Sequence, residues 1–148
     1  MLLLGGKSFT SGRAKFEDQA PGTPELTAKI FVKVKFPNLV GNGNLLAQLD
    51  SGSAYSMLEV ELAQTLGVLD GDGEPARVRT PSGIVHGRLE RIPLVLVADE
   101  GESLDVETTF LVSRDWTGKT FLGYTGFIDK LRIALDSPAN DFYFGEVG

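Results

Sequence analysis

The chain of 148 residues contains no cysteine, a single histidine (His86) and a formal net charge of −6. That length makes one domain of ordinary size, and the composition excludes disulfides, thiolate nucleophiles and cysteine-based zinc sites, leaving little for a metal cluster. An acidic balance without a clustered basic face argues against nucleic acid, and no run reaches the roughly 20 apolar residues of a membrane span, so a soluble, cytoplasmic protein is expected.

Residues 1–27 carry Gly5, Gly6, Gly12, Pro21, Gly22 and Pro24 among polar neighbours and are expected to form a flexible leader or arm, with the folded domain over 28–148. Leu2, Leu3 and Leu4 are too few for a signal-peptide core. From residue 28, Ile30, Val32, Val34 and Phe36 alternate with Lys29, Lys33 and Lys35, the pattern of a half-buried strand with a solvated basic face. A loop rich in glycine and asparagine over 37–44 returns the chain into a short apolar strand at 45–49. Asp50-Ser51-Gly52-Ser53 follows as a tight turn, which puts a poorly hydrated carboxylate at a strand end among backbone donors.

Ser56 and Glu59 have the spacing of a capping box, and Leu58, Leu62, Ala63 and Leu66 recur at helical spacing until Gly67 stops the helix. Two strands, 76–80 and 84–89, flank Pro81-Ser82-Gly83 in a hairpin with a small, movable tip. Two more, 92–98 and 104–112, are joined by the acidic turn 99–102. A short strand at 120–122, a helical turn at 127–131 and strands at 132–135 and 142–144 complete an all-β chain with one or two short helices. The acidic stretches 70–74 and 99–102 read as solvated loops, and His86 as an exposed strand residue.

Asp-Ser-Gly after an apolar strand is the arrangement with which aspartic peptidases build half of an active site. Their chemistry needs two carboxyl groups, because at roughly 3 Å both cannot stay ionised and one keeps its proton. No second copy of the turn exists here: Asp136-Ser137 is followed by Pro138, and Asp70-Gly71-Asp72-Gly73 lacks the hydroxyl residue and a leading strand. A second copy of the chain, related by a two-fold axis, is the nearest source of a matching Asp50, so a homodimer is expected. Ser51 as a serine nucleophile fails, since only His86 could be its base and no nucleophile elbow is present.

Four marks in order carry a family resemblance: Leu49-Asp50-Ser51-Gly52-Ser53, the helix at 60–66 with Gly67, Arg79-Thr80-Pro81-Ser82-Gly83, and Phe121-Leu122-Gly123-Tyr124. Over roughly 28–144 the chain resembles the retropepsins, single-lobed aspartic peptidases of retroviruses and their cellular and bacterial relatives, and most of all the bacterial members. The resemblance implies a closed six-stranded barrel with a flap hairpin, and assigns Asp50 as the catalytic carboxylate of a homodimeric endopeptidase. It makes Ser51 the hydroxyl that ties two subunits beneath the site, and Gly52 the close-approach residue. Thr80, Pro81, Ser82 and Gly83 become the flap tip over a peptide substrate, and Leu122 and Gly123 the segment behind the catalytic turn. Neither a metal nor a cofactor is implied. Tyr124 departs from the arginine usual in the viral enzymes, and the flap has only Gly83 and Gly87, fewer glycines than viral flaps. A second reading is a dimeric peptide-binding or scaffold module of the same fold that cuts nothing. A third is a self-processing peptidase whose leader, 1–29, blocks or feeds the site.

Overall fold

Residues 1–19, 29–41 and 43–148 are described in the computed structural model. The chain opens with a small hairpin, β1 (Leu3–Leu4) and β2 (Lys7–Ser8), and then β3 (Gly12–Lys15). The alternating run becomes β4 (Ile30–Lys35), and the apolar run before the Asp-Ser-Gly turn becomes β5 (Leu45–Leu49), its antiparallel neighbour. After the turn come β6 (Ser56–Met57) and helix α1 (Val60–Leu66), which ends on Gly67 at φ 73°, a left-handed conformation that glycine adopts without strain. The hairpin β7 (Glu74–Thr80) and β8 (Gly83–Leu96) is followed by the two-residue β9 (Glu100–Gly101), β10 (Leu104–Val112) and β11 (Phe121–Leu122). A 3-10 turn at Ile128–Lys130 leads into β12 (Leu131–Asp136) and β13 (Asp141–Glu146).

The all-β expectation holds. Strands β10, β6, β11, β5, β4 and β8 are successive neighbours, and β8 pairs back onto β10, so the ladder closes into a ring of six strands with β7 added outside β8. A second sheet, in the order β12-β13-β3-β9, turns Phe142 and Phe144 into the same core as Phe36, Phe110 and Leu122 of the ring. Each fully buried side chain of this size contributes about 1.5–3 kcal/mol.

Three local expectations meet a different outcome. The strands read separately at 84–89 and 92–98 are one, β8, whose inward positions change parity: Val85 and Leu89 pack in a small cluster with Met57 and Leu111, whereas Ile92, Leu94 and Leu96 enter the main core. A continuous strand that serves two cores on opposite faces breaks the period-two pattern midway. The helix has Glu59 at its N-cap without a side-chain cap hydrogen bond, because Ser56 belongs to β6 and its hydroxyl accepts from Gly123 N–H at 2.9 Å. Part of the segment read as a flexible arm is a strand: β3 lies between β13 and β9, and Ala14 and Phe16 are buried. Gly12 serves packing there, since a Cβ would stand 2.3 Å from Glu102 O and 2.7 Å from the Phe144 ring. The part of that arm over 20–28 lies outside the described residues.

Charges stitch β3 into place. Arg13 bridges Glu100 and Asp141 at 2.7 Å each, Lys15 reaches Asp141 at 2.9 Å, and Lys33 of β4 pairs with Asp99, which also accepts the Lys15 N–H at 2.7 Å. The Lys15 ammonium, with Arg13, holds the Asp141 carboxyl below the usual carboxylate range. Lys33 and the Lys15 N–H do the same for Asp99. The acidic stretches read as plain solvated loops thus carry ion pairs, Asp70 joining Arg114 at 2.6 Å as well.

Candidate active site

Asp50 leaves β5 at the end of a strand paired on both sides, antiparallel to β4 and parallel to β11. Its own N–H donates to Leu122 O at 2.8 Å, which extends the β5–β11 ladder by one residue and fixes the backbone from which the carboxylate projects. The turn then closes on itself: Ser53 N–H donates to Asp50 O at 3.2 Å, and Gly52 N–H donates to Asp50 Oδ1 at 3.0 Å. An acceptor side chain that folds back two residues in this way preorganises both the turn and its own rotamer. Asp50 is half-buried, with Ser51 and Gly52 exposed beside it, so the carboxylate has one backbone donor of its own rather than the several expected. It makes no ion pair among the described residues.

Behind the turn the packing is tight. Leu122 is fully buried, and a Cβ on Gly123 would lie 2.3 Å from Tyr55 O and 2.9 Å from Ser53 O. Tyr124 and Thr125 donate their N–H groups to Ser53 O at 2.8 Å and Ala54 O at 2.9 Å, while Ser53 Oγ donates to Tyr55 O at 2.8 Å. Ser56, with no exposed surface, takes the remaining Gly123 N–H. Leu122 and Gly123 therefore lie directly against the Asp50 turn. Ser56 is the residue that the sequence reading missed, because its spacing to Glu59 offered a local explanation. Tyr124 is 53% exposed next to the turn, a large aromatic residue only partly covered by the described residues.

Gly52 differs from Gly123. A Cβ there meets only Asp50 Oδ1 at 3.4 Å, an ordinary contact, so nothing among the described residues demands glycine at that position.

The hairpin forms with Thr80 opposite Gly83, so that its turn is the two residues Pro81-Ser82 and Gly83 already belongs to β8. Thr80 Oγ1 donates to Gly83 O at 2.8 Å and lies 3.2 Å from Ser82 Oγ, and Gly83 adopts φ 129°, open only to glycine. Pro81, Ser82, Gly83 and Ile84 are exposed. The base is held: Gly73 N–H donates to Glu90 Oε1 at 2.8 Å, Arg88 Nη1 donates to Gly73 O at 2.9 Å, and Ser113 Oγ donates to His86 O. Gly87, counted from sequence as a flexibility glycine, is a packing glycine whose Cβ would stand 2.3 Å from Val112 O. His86 is exposed and pairs with Arg77 across the hairpin.

Among the described residues no group of three or more His, Asp or Glu side chains could hold a metal ion. An apolar groove of about 300 Å³ beside α1, floored by Phe36, Leu45 and Leu62, does not include Asp50. No helix of the described residues is long and apolar enough to cross a membrane.

No protein-family profile matches the chain. No curated protein matches it at a significant level. Among solved structures it is similar to a retropepsin-like aspartic protease from Rickettsia conorii, with a TM-score of 0.57 and 14% sequence identity over 89% of this chain and 98% of that one. At that identity the likeness is one of fold.

Proposed function

We propose that the protein is an aspartic endopeptidase of the retropepsin type, whose active site is completed when two copies bring their Asp50 carboxyl groups together. The observation that carries this is the Asp50 turn itself: a carboxylate oriented by Gly52 N–H at 3.0 Å and backed by Leu122 and Gly123 on a closed all-β ring. An intrachain role for Asp50 beyond its own turn is missing among the described contacts, which favours a role outside the chain.

In the paired site the two carboxyl groups hold one proton between them. The ionised member takes a proton from a water molecule, the resulting hydroxide adds to the scissile carbonyl carbon, and the protonated member gives its proton to the carbonyl oxygen. Collapse of the tetrahedral intermediate breaks the C–N bond, with a proton passing to the leaving amine. Neither a metal nor a covalent enzyme intermediate takes part. Ser51 ties the two turns together beneath the site and Gly52 allows their close approach. Thr80, Pro81, Ser82 and Gly83 close over a substrate lying extended, paired through its backbone like an added strand. The catalytic domain comprises the segment over 28–148 together with β3, which completes its second sheet.

Replacing Asp50 with Asn tests the assignment. Incubated with an unfolded protein substrate between about pH 3 and pH 8, the wild-type chain is expected to cut best on the acid side of neutrality, since one proton must be retained by the pair. Asp50→Asn is expected to lower the rate by about a thousandfold or more while keeping the dimer. Cleavage that survives the substitution sinks the assignment, and a dimer that binds peptides without ever cutting them points to the scaffold reading.

A further inference from the structure

Basic residues are scattered along the chain, but strand pairing gathers several of them on one face of the β7–β8 hairpin. Ala76, Val78, Val85 and Leu89 turn inward to the small cluster with Met57 and Leu111. The alternate positions point the other way: Arg77 and Arg79 on β7, and Ile84, His86 and Arg88 on β8, are all exposed. Arg77 stands opposite His86 and Arg79 opposite Ile84, with Arg88 the next outward residue after His86. Neighbours along one strand face are about 6.5–7 Å apart and diagonal neighbours about 7–8 Å, so these side chains share one surface. Three arginines held so close repel one another unless an anion covers them. Arg13, Lys15, Lys33 and Arg114 all have carboxylate partners. Arg77, Arg79, His86 and Arg88 make no ion pair among the described residues, although the chain has 20 acidic side chains and a net charge of −6. Arg88 reaches only a backbone carbonyl, Gly73 O at 2.9 Å, and Glu90, the next outward residue of β8, is taken up by Gly73 N–H.

We infer that the outer face of this hairpin is a docking site for an acidic segment of another polypeptide, lying extended with carboxylates at alternate positions. An extended chain repeats its side chains with the two-residue period of β7, so carboxylates at that spacing meet Arg77 and Arg79 in step. The cations are arginines, whose planar forks take a carboxylate through two hydrogen bonds at once. Ile84, 48% exposed, sits among them, and an apolar side chain of a peptide covers it where a phosphate backbone does not. A chain of net charge −6 also repels long polyanions such as nucleic acid or an anionic membrane, whereas a short acidic stretch feels mainly the local field of the hairpin. The tip of the same hairpin, Pro81 to Gly83, is the part that the peptidase reading closes over a substrate. On that reading the docked segment belongs to the substrate and lowers its KM; the docking itself does not rest on it.

The probe is a fluorescein-labelled peptide of about twelve residues, with glutamate at alternate positions among valine and serine, titrated with the full chain at low salt and read by anisotropy. Arg77→Glu combined with Arg79→Glu is expected to weaken binding by about tenfold or more. Lys7→Glu combined with Lys35→Glu changes the net charge equally at exposed positions off the hairpin, and is expected to stay within about threefold of wild type. Arg77→Gln with Arg79→Gln is expected to fall between the two, and a peptide with lysine in place of glutamate to prefer the hairpin reversal over the control reversal. Melting temperatures check that each variant is folded. Equal loss in the hairpin and control variants, a glutamine peptide bound as tightly as the glutamate one, or tighter binding of oligothymidylate or of phosphatidylserine vesicles overturns the inference. A chain that binds the probe through the hairpin but cuts no peptide keeps the docking face and retires the peptidase; a chain that cuts peptides but ignores the probe does the opposite.

Discussion

The two sides of the Asp50 turn are made to different specifications. At the back, Leu122, Gly123 and Ser56 are buried, the Gly123 N–H donates to Ser56 Oγ, and a Cβ on Gly123 would stand 2.3 Å from Tyr55 O. At the front, Ser51 and Gly52 are exposed, and an added Cβ at Gly52 meets nothing closer than 3.4 Å. Intrachain packing explains the back completely. No contact among the described residues requires the glycine at the front, which fits the proposal that a second copy approaches there.

Substitutions at the back should act on stability. Gly123→Ala is expected to have the largest effect, about 3 kcal/mol or more, because its Cβ would stand 2.3 Å from the Tyr55 carbonyl and the backbone must move. Thermal unfolding measures it, and a melting temperature within a degree of wild type would mean that the contact is not as close as described. Ser56→Ala strands the buried Gly123 N–H, at a cost of about 1–3 kcal/mol by denaturant titration.

The second sheet gives a pH-dependent counterpart. Asp141 and Asp99 have folded-state values lowered by Lys15 with Arg13 and by Lys33, so their contribution is fully present above the unfolded carboxylate value and is lost as pH falls through the lowered folded values. Urea midpoints should therefore decline below about pH 4. Asp141→Asn should flatten that decline, and an unchanged slope would remove Asp141 from the account. The smallest effect is expected at the front: Gly52→Ala should change the stability of the chain by less than about 0.5 kcal/mol. If the front serves a partner, the same variant loses dimerisation and cleavage, so a fully active Gly52→Ala breaks the contrast between the two sides.

Local chemistry was readable wherever a short stretch settles its own conformation. The Asp50 turn bonds to itself, α1 stops where Gly67 takes a left-handed φ, and Thr80 with Gly83 closes a two-residue turn. Reading failed where a residue answers to something distant in sequence. Gly12 and Gly87 suggest flexibility until the Phe144 ring and the Val112 carbonyl are seen lying against them. Ser56 resembles a helix cap until Gly123, a strand away, claims its hydroxyl. β8 looks interrupted because its two halves face different cores.

By itself, then, the sequence determined that this is an all-β chain with one preorganised carboxylate, since alternation and turn residues act over a few neighbouring positions. The tertiary structure decided that β11 locks the turn from behind and that β3 joins a second sheet beside β13, because strand pairing joins segments as far apart as Arg13 and Tyr143 and no local pattern encodes which edge finds which partner.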